Sequence, residues 1–528
     1  MLDLEGPQDP QGPVARYDEL LAPSASKGKE ATFNRAAASY INLGERFRAS
    51  KRTYDRQFAQ LYYSRLMLLK GAMRARVEQL WPQVPVCSIL EVQENKEAAV
   101  IGTLYKNMKL KPSILDEYTK DRGMKAALGA THFCADNDSL VLEDEGARMV
   151  LSMAGMERGV QTIAAAEAQQ AAGGGGAQLL AGSGPLPVHE LVTGMVVAVR
   201  GVHEPGGDFY VSAVCFPGLP PHAQPLPPPS RAALAAAATG AGVSAAPKDK
   251  YVALASGLCL GGSKVDMLKT QLALDFLTGH LGSPVEQQLS SQIVRLVVAG
   301  GCIGQLDALA GSGAPTANPY ANRAAQGVAL QPVRDLDLLL AEVAAALPVD
   351  VMPGPEDPAN VALPQQPMHR CLFPAASTHN SLVRATNPHE FEVEGVRLLG
   401  TSGQNVDDMA KYCVAKDKLD LMARTLASRH IAPTAPDTLT CYPFHDDDPF
   451  ILESTPHVYF IGNQNEFATR LIQQPQQPSG GPNGRPDGGD VAVRLIAVPS
   501  FARTGTIVLL NLRTLACHPV RFNGSLGF

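Results

Sequence analysis

Four short turns that follow predicted strands hold the residues that would do any chemistry in this chain. The strands that precede the turns are predicted at 251–255, 295–299, 349–352 and 457–461. In open α/β sheets, ligands gather beyond the carboxyl ends of the strands, so a site is expected at these turns. The side chains there that could ligate a metal ion are those of Cys259, Glu356 and Asp357.

Other candidate motifs in the sequence are incomplete. The glycines that bound Gly257–Gly262 are spaced as in a phosphate-binding loop, but Ser263 stands where that loop requires lysine. The acidic run 446–448 could bind a cation, yet a solvated loop is the simpler interpretation because charged residues are mostly exposed. His430 and His457 lie beside apolar residues and are interpreted as hydrogen-bonded structural histidines.

The elements that would position the four turns alternate between strand and helix. After Lys250, helical patterns at 267–281 and 336–347 separate the first three of these strands, and further strands are predicted at 491–498 and 506–512. A β-α-β-α order is typical of an α/β domain with a largely parallel sheet or a sandwich. The second half of the chain is therefore predicted to be such a domain.

The first half contains short strands and one amphipathic helix. Apolar residues between Tyr54 and Leu69 recur at three- and four-residue steps and predict a helix packed on the body of the protein. Strands are then predicted at 97–105, 139–143, 147–153, 195–201 and 207–216. Five such strands suit a small barrel, of which the OB-fold is one kind, and composition alone does not choose among small barrels.

These patterns divide the sequence into four segments. They are a flexible N-terminal segment (1–46), a helical segment (47–85), a barrel domain (86–249) and an α/β domain (250–528). Low-complexity stretches rich in Gly, Pro and Ala are predicted to be flexible insertions. The stretches lie near 164–186 and 217–247 in the barrel domain and near 311–333 and 473–490 in the α/β domain.

Bulk composition excludes several classes of protein. The 528 residues are 45% hydrophobic, enough for sizeable cores. Lys and Arg total 45 against 51 Asp and Glu, which argues against a strongly basic protein that coats nucleic acid. No apolar run is long enough to cross a membrane, and the N-terminus does not resemble a secretory signal. The nine scattered cysteines lack a C-x-x-C pair and suggest reduced thiols in an intracellular protein.

The four turns resemble those of the calcineurin-like metallophosphoesterases. That family places D-x-H, G-D-x-x-D, G-N-H-[DE] and G-H-x-H motifs there, whose side chains hold two metal ions that activate a water. The corresponding positions of this chain are Gly257, Cys259, Gly301, Gly304, Pro355, Glu356, Asn463 and Asn465. Because glycine offers no ligand and an amide replaces imidazole poorly, the resemblance implies an inactive phosphoesterase-like domain with no metal, no cofactor and no enzyme activity.

Longer segments resemble the small (B) subunits of DNA polymerase delta. The segments include PVDVMPG at 348–354, LGTSGQNV at 399–406, RHIAPTAPDT at 429–438 and PHVYF at 456–460. The resemblance spans most of residues 35–528 outside the low-complexity insertions. It implies an all-β and α/β fold, in which an OB-fold barrel packs on a calcineurin-like metallophosphoesterase α/β sandwich.

The same resemblance implies a scaffold in DNA replication and repair synthesis in the nucleus. Members of this family bind the C-terminal cysteine-rich module of the catalytic subunit of DNA polymerase delta. They also hold a further accessory subunit, and they reach the sliding clamp and DNA through the complex. The candidate surface or interface residues in this chain are Thr401, Ser402, Gly403, Gln404 and Asn405.

Three alternatives remain open from the sequence. An active metal-dependent phosphoesterase or nuclease would bind Mn²⁺ tightly and lose hydrolysis on Asp357→Ala. A small subunit of polymerase alpha or epsilon would share the scaffold role. A free-standing OB-fold protein for single-stranded DNA would need a basic groove with stacking aromatic side chains, whereas aromatic residues make up only 6% of the chain.

Overall fold

The computed structural model describes residues 33–49, 56–112, 132–153, 187–238, 249–263, 265–304, 319–474 and 491–523. The helices in these ranges are α1 (Ala59–Leu80), α2 (Pro228–Ala238), α3 (Met267–Thr278), α4 (Pro284–Gln292), α5 (Pro319–Ala346), α6 (Gln404–Tyr412), α7 (Lys418–Ala427) and α8 (Phe501–Thr504). No helix of this described part is long and apolar enough to cross a membrane.

The strands in the same ranges form three sheets. They are β1 (Tyr40–Asn42), β2 (Val86–Cys87), β3 (Glu97–Asn107), β4 (Ser139–Glu143), β5 (Arg148–Met153), β6 (Val196–His203), β7 (Phe209–Cys215), β8 (Tyr251–Ala255), β9 (Ile293–Ala299), β10 (Val349–Met352), β11 (Leu382–Arg384), β12 (His389–Val393), β13 (Val396–Thr401), β14 (Val458–Gln464), β15 (Ala468–Gln474), β16 (Val491–Pro499), β17 (Thr506–Asn511) and β18 (Cys517–Arg521). The strands β4, β8 and β10 have the bounds that the sequence predicts.

The chain forms two compact units. The α/β unit comprises residues 1–50, 222–403 and 456–528, and the barrel unit comprises residues 51–221 and 404–455. The boundaries predicted from the sequence place residues 404–455 with the α/β domain. Their contacts lie in the barrel unit, where Arg65 of α1 donates hydrogen bonds to the carbonyls of Pro433 and Ala435.

The α/β unit contains two six-stranded sheets. One has the order β11-β10-β9-β8-β17-β18, and the other has the order β1-β12-β13-β14-β16-β15. Strands β8, β9, β10 and β11 are parallel, and so are β13, β14 and β16. Parallel neighbours need crossover connections, and α3 and α5 lie in the connections from β8 to β9 and from β9 to β10.

Two apolar cores hold the α/β unit together. One core joins the two sheets and contains Leu254 and Val297 from the first sheet with Phe460 and Ile496 from the second. The other lies between the first sheet and the helices α3 and α5. Because strands β8 to β10 are covered on both faces, they are buried throughout and mostly apolar, as buried parallel strands are. The charged exceptions, Arg295 of β9 and Asp350 of β10, pair with each other.

The barrel unit is built on a six-stranded sheet that closes on itself. Its order is β2-β3-β4-β5-β7-β6, and β3 also pairs with β6. The apolar stripe of α1 packs on these two strands through Leu69, Met73 and Val77. This contact confirms the prediction of a helix packed on the body, although α1 begins at Ala59 and ends at Leu80.

The N-terminal segment has more structure than its composition predicts. Residues 40–42 form strand β1, which pairs with β12 of the α/β unit. Arg35 donates hydrogen bonds to the carbonyls of Leu277, Ser290 and Ile293. The prediction that residues 1–46 are flexible is therefore wrong for residues 33–46. Strand pairing with β12 and the hydrogen bonds of Arg35 hold this segment against elements that are distant in sequence.

Two of the predicted flexible insertions are partly ordered. In the stretch 217–247, α2 forms at residues 228–238, and Leu226 and Leu234 enter the core between the sheets. Proline suits the first turn of a helix and alanine suits its interior, which explains how this composition gives α2. In the stretch 311–333, residues 319–333 belong to α5. The stretch 164–186 and most of 473–490 lie outside the described residues.

Candidate functional site

The turns after β8 and β9 are joined by backbone hydrogen bonds. The amides of Gly257 and Cys259 donate to the carbonyls of Gly300 and Gly301, each at 2.9 Å. Gly304 also lies against this turn, since a Cβ on it would meet the carbonyl oxygen of Cys259 at 2.6 Å. The structure therefore brings four of the predicted site positions together.

Asp357 joins the turn after β10 to the turn after β9. Its carboxylate accepts hydrogen bonds from the amides of Gly354 at 2.7 Å, Ile303 at 2.8 Å and Cys302 at 3.2 Å. Burial raises the pKa of the Asp357 carboxyl, while these amides act in the opposite direction. The carboxylate is thus an acceptor for otherwise unpaired backbone donors at the strand ends.

Asn463 fills the space between the same turns. Its side-chain Nδ2 donates to the carbonyls of Ser402 at 2.8 Å and Ala299 at 3.3 Å. Its amide oxygen lies so close to Gly301 that a Cβ there would clash with it, and a Cβ on Gly257 would approach it to 2.9 Å. Gly301 also has a φ of +68°, so glycine is required there by both close approach and backbone conformation.

We call Gly257, Gly301, Asp357, Ser402 and Asn463 the strand-end cluster. The predicted site positions Pro355, Glu356 and Asn465 are exposed instead of lying within it. In the described part of the chain, no three His, Cys, Asp or Glu side chains converge in a geometry that could hold a metal ion. The side chains of Asp357 and Asn463 bond to backbone groups, and the hydroxyl of Ser402 accepts a hydrogen bond from Asn387.

The thiols beside the cluster are poor nucleophiles. Burial raises the pKa of Cys259, although a hydrogen bond with Ser500 opposes the shift. Burial also raises the pKa of Cys302 well above its ordinary value. Since the thiolate is the reactive form, both side chains are held in the less reactive thiol form.

The residues predicted as a surface element are mostly buried, so that prediction is wrong. Thr401, Ser402 and Asn405 are at most 3% exposed, Gly403 is buried, and Gln404 is partly exposed. Strand β13 runs to Thr401, and the chain then turns into the cluster, where Asn387 exchanges two hydrogen bonds with Ser402. The sequence did not single out Asn387 and assigned Ser402 to a surface or interface, because only the tertiary contacts distinguish these two residues from other polar turn residues.

A second group of buried polar side chains lies in the barrel unit. Asp448 accepts a hydrogen bond from Arg65 Nε at 2.8 Å and lies 2.9 Å from His430 Nε2. We call these three residues the charge network. Asp448 is 2% exposed, so the prediction of a solvated loop is wrong for this member of the acidic run, whereas Asp446 and Asp447 are exposed.

The protonation states in the charge network follow from burial and charge. Burial opposes ionisation of Asp448, but the interactions of its carboxylate with His430 and Arg65 outweigh burial and lower the pKa of that carboxyl. Burial and the nearby Arg65 lower the pKa of His430 to about 4. The prediction of a hydrogen-bonded structural histidine is confirmed at His430 and at His457, whose ring bonds to Gln224 and Arg397.

Two family models match separate parts of the chain. The model described as "DNA polymerase delta subunit OB-fold domain" matches residues 57–214, which agrees with the closed sheet of the barrel unit. The model that describes the B subunits of DNA polymerases alpha and epsilon matches residues 252–469. The second match contains the strands and turns that form the strand-end cluster.

Curated relatives match nearly the whole chain. A protein of Oryza sativa subsp. japonica named "DNA polymerase delta small subunit" is 39% identical over 93% of this chain and 99% of its own length. The Arabidopsis thaliana protein of the same name is 39% identical over 94% and 98%. The Saccharomyces cerevisiae protein of that name is 28% identical over 90% and 91%. The chain therefore belongs to the DNA polymerase delta small subunit family.

Proposed function

We propose that this chain is a non-catalytic accessory subunit of the DNA polymerase delta complex. In this proposal it bridges the C-terminal cysteine-rich module of the catalytic subunit and a further accessory subunit. It reaches the sliding clamp and DNA through the complex. Replication and repair synthesis would place it in the nucleus.

One observation carries the proposal, namely the continuous similarity to proteins named as small subunits of this polymerase. The 39% identity to the rice protein extends over 492 residues and includes both units. A shared single domain would support only a shared fold, whereas similarity across both units supports a shared assembly role.

The strand-end cluster supports a role without catalysis. A two-metal hydrolytic site needs several converging carboxylates and imidazoles. The centre of this cluster is instead occupied by the amide of Asn463, and its carboxylate, Asp357, is bonded to backbone amides. We infer that the metal-ligand positions have lost their ligands and that the turns now serve only to hold the fold.

We propose that the α/β unit is an inactive calcineurin-like sandwich and that the barrel unit is an OB-fold. The two sheets of the α/β unit, with α3 and α5 on the outer face of one of them, fit an inactive calcineurin-like sandwich. The closed sheet of the barrel unit fits an OB-fold. The domain boundaries near residues 86 and 250 remain predictions of the sequence.

Co-purification tests the proposal directly. The full chain would be mixed with the C-terminal cysteine-rich tail of the delta catalytic subunit and separated by size exclusion at moderate salt. The expected result is a stable one-to-one complex. A tail with its cysteines replaced by serine is the matched control, because a cysteine-rich module that depends on bound metal should not fold without its ligands.

Two further experiments distinguish the proposal from the alternative functions. The corresponding tails of polymerases alpha and epsilon would be offered under the same conditions, and preferential binding to either one would move the chain to that complex. A manganese-dependent nuclease assay on the full chain should show no hydrolysis above buffer. Absence of binding to the delta tail by a well-folded chain would contradict the proposal, and so would hydrolysis that is lost on Asp357→Ala.

A further inference from the structure

An exposed turn of the α/β unit holds a cysteine beside a histidine. The Sγ of Cys371 lies 2.9 Å from the Nδ1 of His369. Both residues are exposed, whereas each of the other cysteines of the chain is buried or partly buried. A thiol that solvent can reach and that contacts a base has the arrangement of an activated nucleophile.

The backbone of the turn determines which form of the imidazole meets the thiol. The amide of Cys371 donates a hydrogen bond to the Nδ1 of His369 at 3.2 Å. A nitrogen that accepts a hydrogen bond carries a lone pair, so in the neutral ring the proton is on Nε2. The Nδ1 of His369 is therefore the atom that can take the proton of the Cys371 thiol.

Buried residues on both sides anchor this turn. Met368 and Phe373 are at most 1% exposed and belong to the core between the first sheet and the helices α3 and α5. The carbonyl of Met368 accepts a hydrogen bond from the Nη1 of Arg384 at 3.1 Å. The amide of Phe373 donates to the carbonyl of Arg370, also at 3.1 Å. The contact between the ring and the thiol is thus held by the fold.

We propose that Cys371 is a site of reversible exchange with small disulfides such as glutathione disulfide, and that His369 is the base that activates its thiol. The thiol proton moves to the Nδ1 of His369 as the sulfur of Cys371 attacks one sulfur of the reagent. The S–S bond of the reagent breaks, and a new S–S bond joins Cys371 to one half of it. The other half leaves as a thiolate and takes the proton from the imidazolium. Cys371 is oxidised and the leaving half is reduced, so the small disulfide is the oxidant.

Charge distinguishes Cys371 from Cys87, which is partly exposed. Burial raises the pKa of the Cys87 thiol, and the nearby Glu91 acts in the same direction. The sequence around Cys371 contains no acidic residue between positions 366 and 374, and it includes the exposed Arg370. A neighbouring positive charge favours the thiolate, which is the reactive form, and it also attracts the carboxylates of glutathione.

Exchange with glutathione disulfide under native conditions tests the site on the full chain. The reduced protein would be incubated with the reagent and quenched with acid, and the adduct at each cysteine would be quantified by peptide mass spectrometry. We expect Cys371 to react first, with Cys87 as the reference in the same sample. His369→Asn should slow the reaction at Cys371 about tenfold, because without a base only a few per cent of a thiol is ionised at about pH 7.

The choice of variants separates the base from the turn. Asparagine can accept the amide hydrogen bond that His369 accepts, but it cannot take a proton from the thiol. His379→Gln is the matched control, because it removes a partly exposed imidazole from the same stretch of chain. The control should leave the rate at Cys371 unchanged.

A rate at Cys371 that falls in His369→Asn and is unchanged in His379→Gln supports the proposal. An unchanged rate in His369→Asn would show that exposure alone sets the reactivity, and it would overturn the proposal. Equal modification of Cys371 and Cys87 in the unaltered chain would also overturn it. Thermal unfolding shows whether His369→Asn is folded, and His369→Gln, with the same expected loss, takes its place if it is not.

Discussion

In the strand-end cluster, Asp357 and Asn463 are held almost entirely by backbone groups, whereas in the charge network Asp448 is held by the side chains of Arg65 and His430. Both regions bury polar atoms, but only the charge network buries an ion pair between side chains. In the cluster, glycines let the turns approach closely, and a neutral amide fills the gap. In the network, long side chains span the distance between α1 and residues 430–448.

The two regions should therefore lose stability through different kinds of substitution. A buried ion that loses its partner is left uncompensated in a medium of low polarity. A turn built on glycine fails instead when a side chain is added, because there is no room for it. The charge network should therefore be most sensitive to truncation, and the strand-end cluster should be most sensitive to enlargement.

Truncation of Asp448 should give the largest effect. Asp448→Ala leaves the fully buried Arg65 without its carboxylate, and removing one partner of a buried pair costs about 3–5 kcal/mol. The measurement is urea denaturation followed by the fluorescence of Trp81, which is the only tryptophan of the chain and lies in the core of the barrel unit. The fluorescence therefore reports on the unit that contains the substitution.

Asp446→Ala is the control for this substitution. Asp446 is exposed and lies 3.9 Å from Arg56, and surface pairs contribute about 0–1 kcal/mol. The control should shift the midpoint little. If the two substitutions lowered the unfolding free energy by similar amounts, the charge network would contribute no more than a solvated surface pair. That result would contradict the difference between the two regions.

Enlargement at Gly301 should give the next largest effect. Gly301→Ala adds about 1 kcal/mol of left-handed backbone strain and about 2 kcal/mol of steric strain against Asn463. In an Asn463→Gly background most of the steric part should disappear, leaving the contact of the new Cβ with the Cα of Gly257 at 3.0 Å. A double-mutant cycle measures this coupling from the unfolding free energies. Additive effects of the two substitutions would show that Asn463 does not fill the cluster as described.

Gly206→Ala separates the two contributions. Gly206 has a φ of +70°, similar to that of Gly301, but a Cβ there would meet no atom within 4 Å. The substitution should cost only the backbone part, about 1 kcal/mol. A cost as large as that of Gly301→Ala would mean that backbone conformation, and not the close approach of Asn463, determines the need for glycine.

The pH dependence of stability should show a property that the two units have in common. Burial lowers the pKa of His430 in the barrel unit and of His457 in the α/β unit to about 4. The unfolded imidazole has a pKa of about 6.5. Each histidine therefore stabilises the fold fully above that value, and this stability is lost as the pH falls from about 6.5 through 4.

At pH 5 each histidine should account for roughly 2 kcal/mol of lost unfolding free energy. Asp448 does not contribute in this window, because its pKa is lowered and it is ionised in both states there. His430→Gln and His457→Gln should each flatten the dependence between pH 5 and 7, measured by urea denaturation. An unchanged slope in either variant would show that the corresponding ring is not buried in its neutral form.

Sequence patterns predicted the strands well because buried parallel strands leave nearly continuous apolar runs, as at β8 and, apart from Asp350, at β10. They also predicted which turns converge, since the carboxyl ends of neighbouring parallel strands share an edge. They did not predict that β13 brings Ser402 into the cluster or that Asp448 is buried. Both depend on contacts between residues far apart in sequence, such as Arg65 with Asp448, for which the local pattern carries no signal.

The smallest predicted effect is a gain of stability, and it tests whether the requirement for glycine belongs to the strand-end cluster. Gly71 lies within α1, and a Cβ there would meet no atom within 4 Å. Alanine in an exposed helix interior is more stable than glycine by about 1 kcal/mol, so Gly71→Ala should raise the urea midpoint monitored by Trp81. Destabilisation by Gly71→Ala would mean that added side chains are harmful in both units, and enlargement would no longer distinguish the cluster from the rest of the fold.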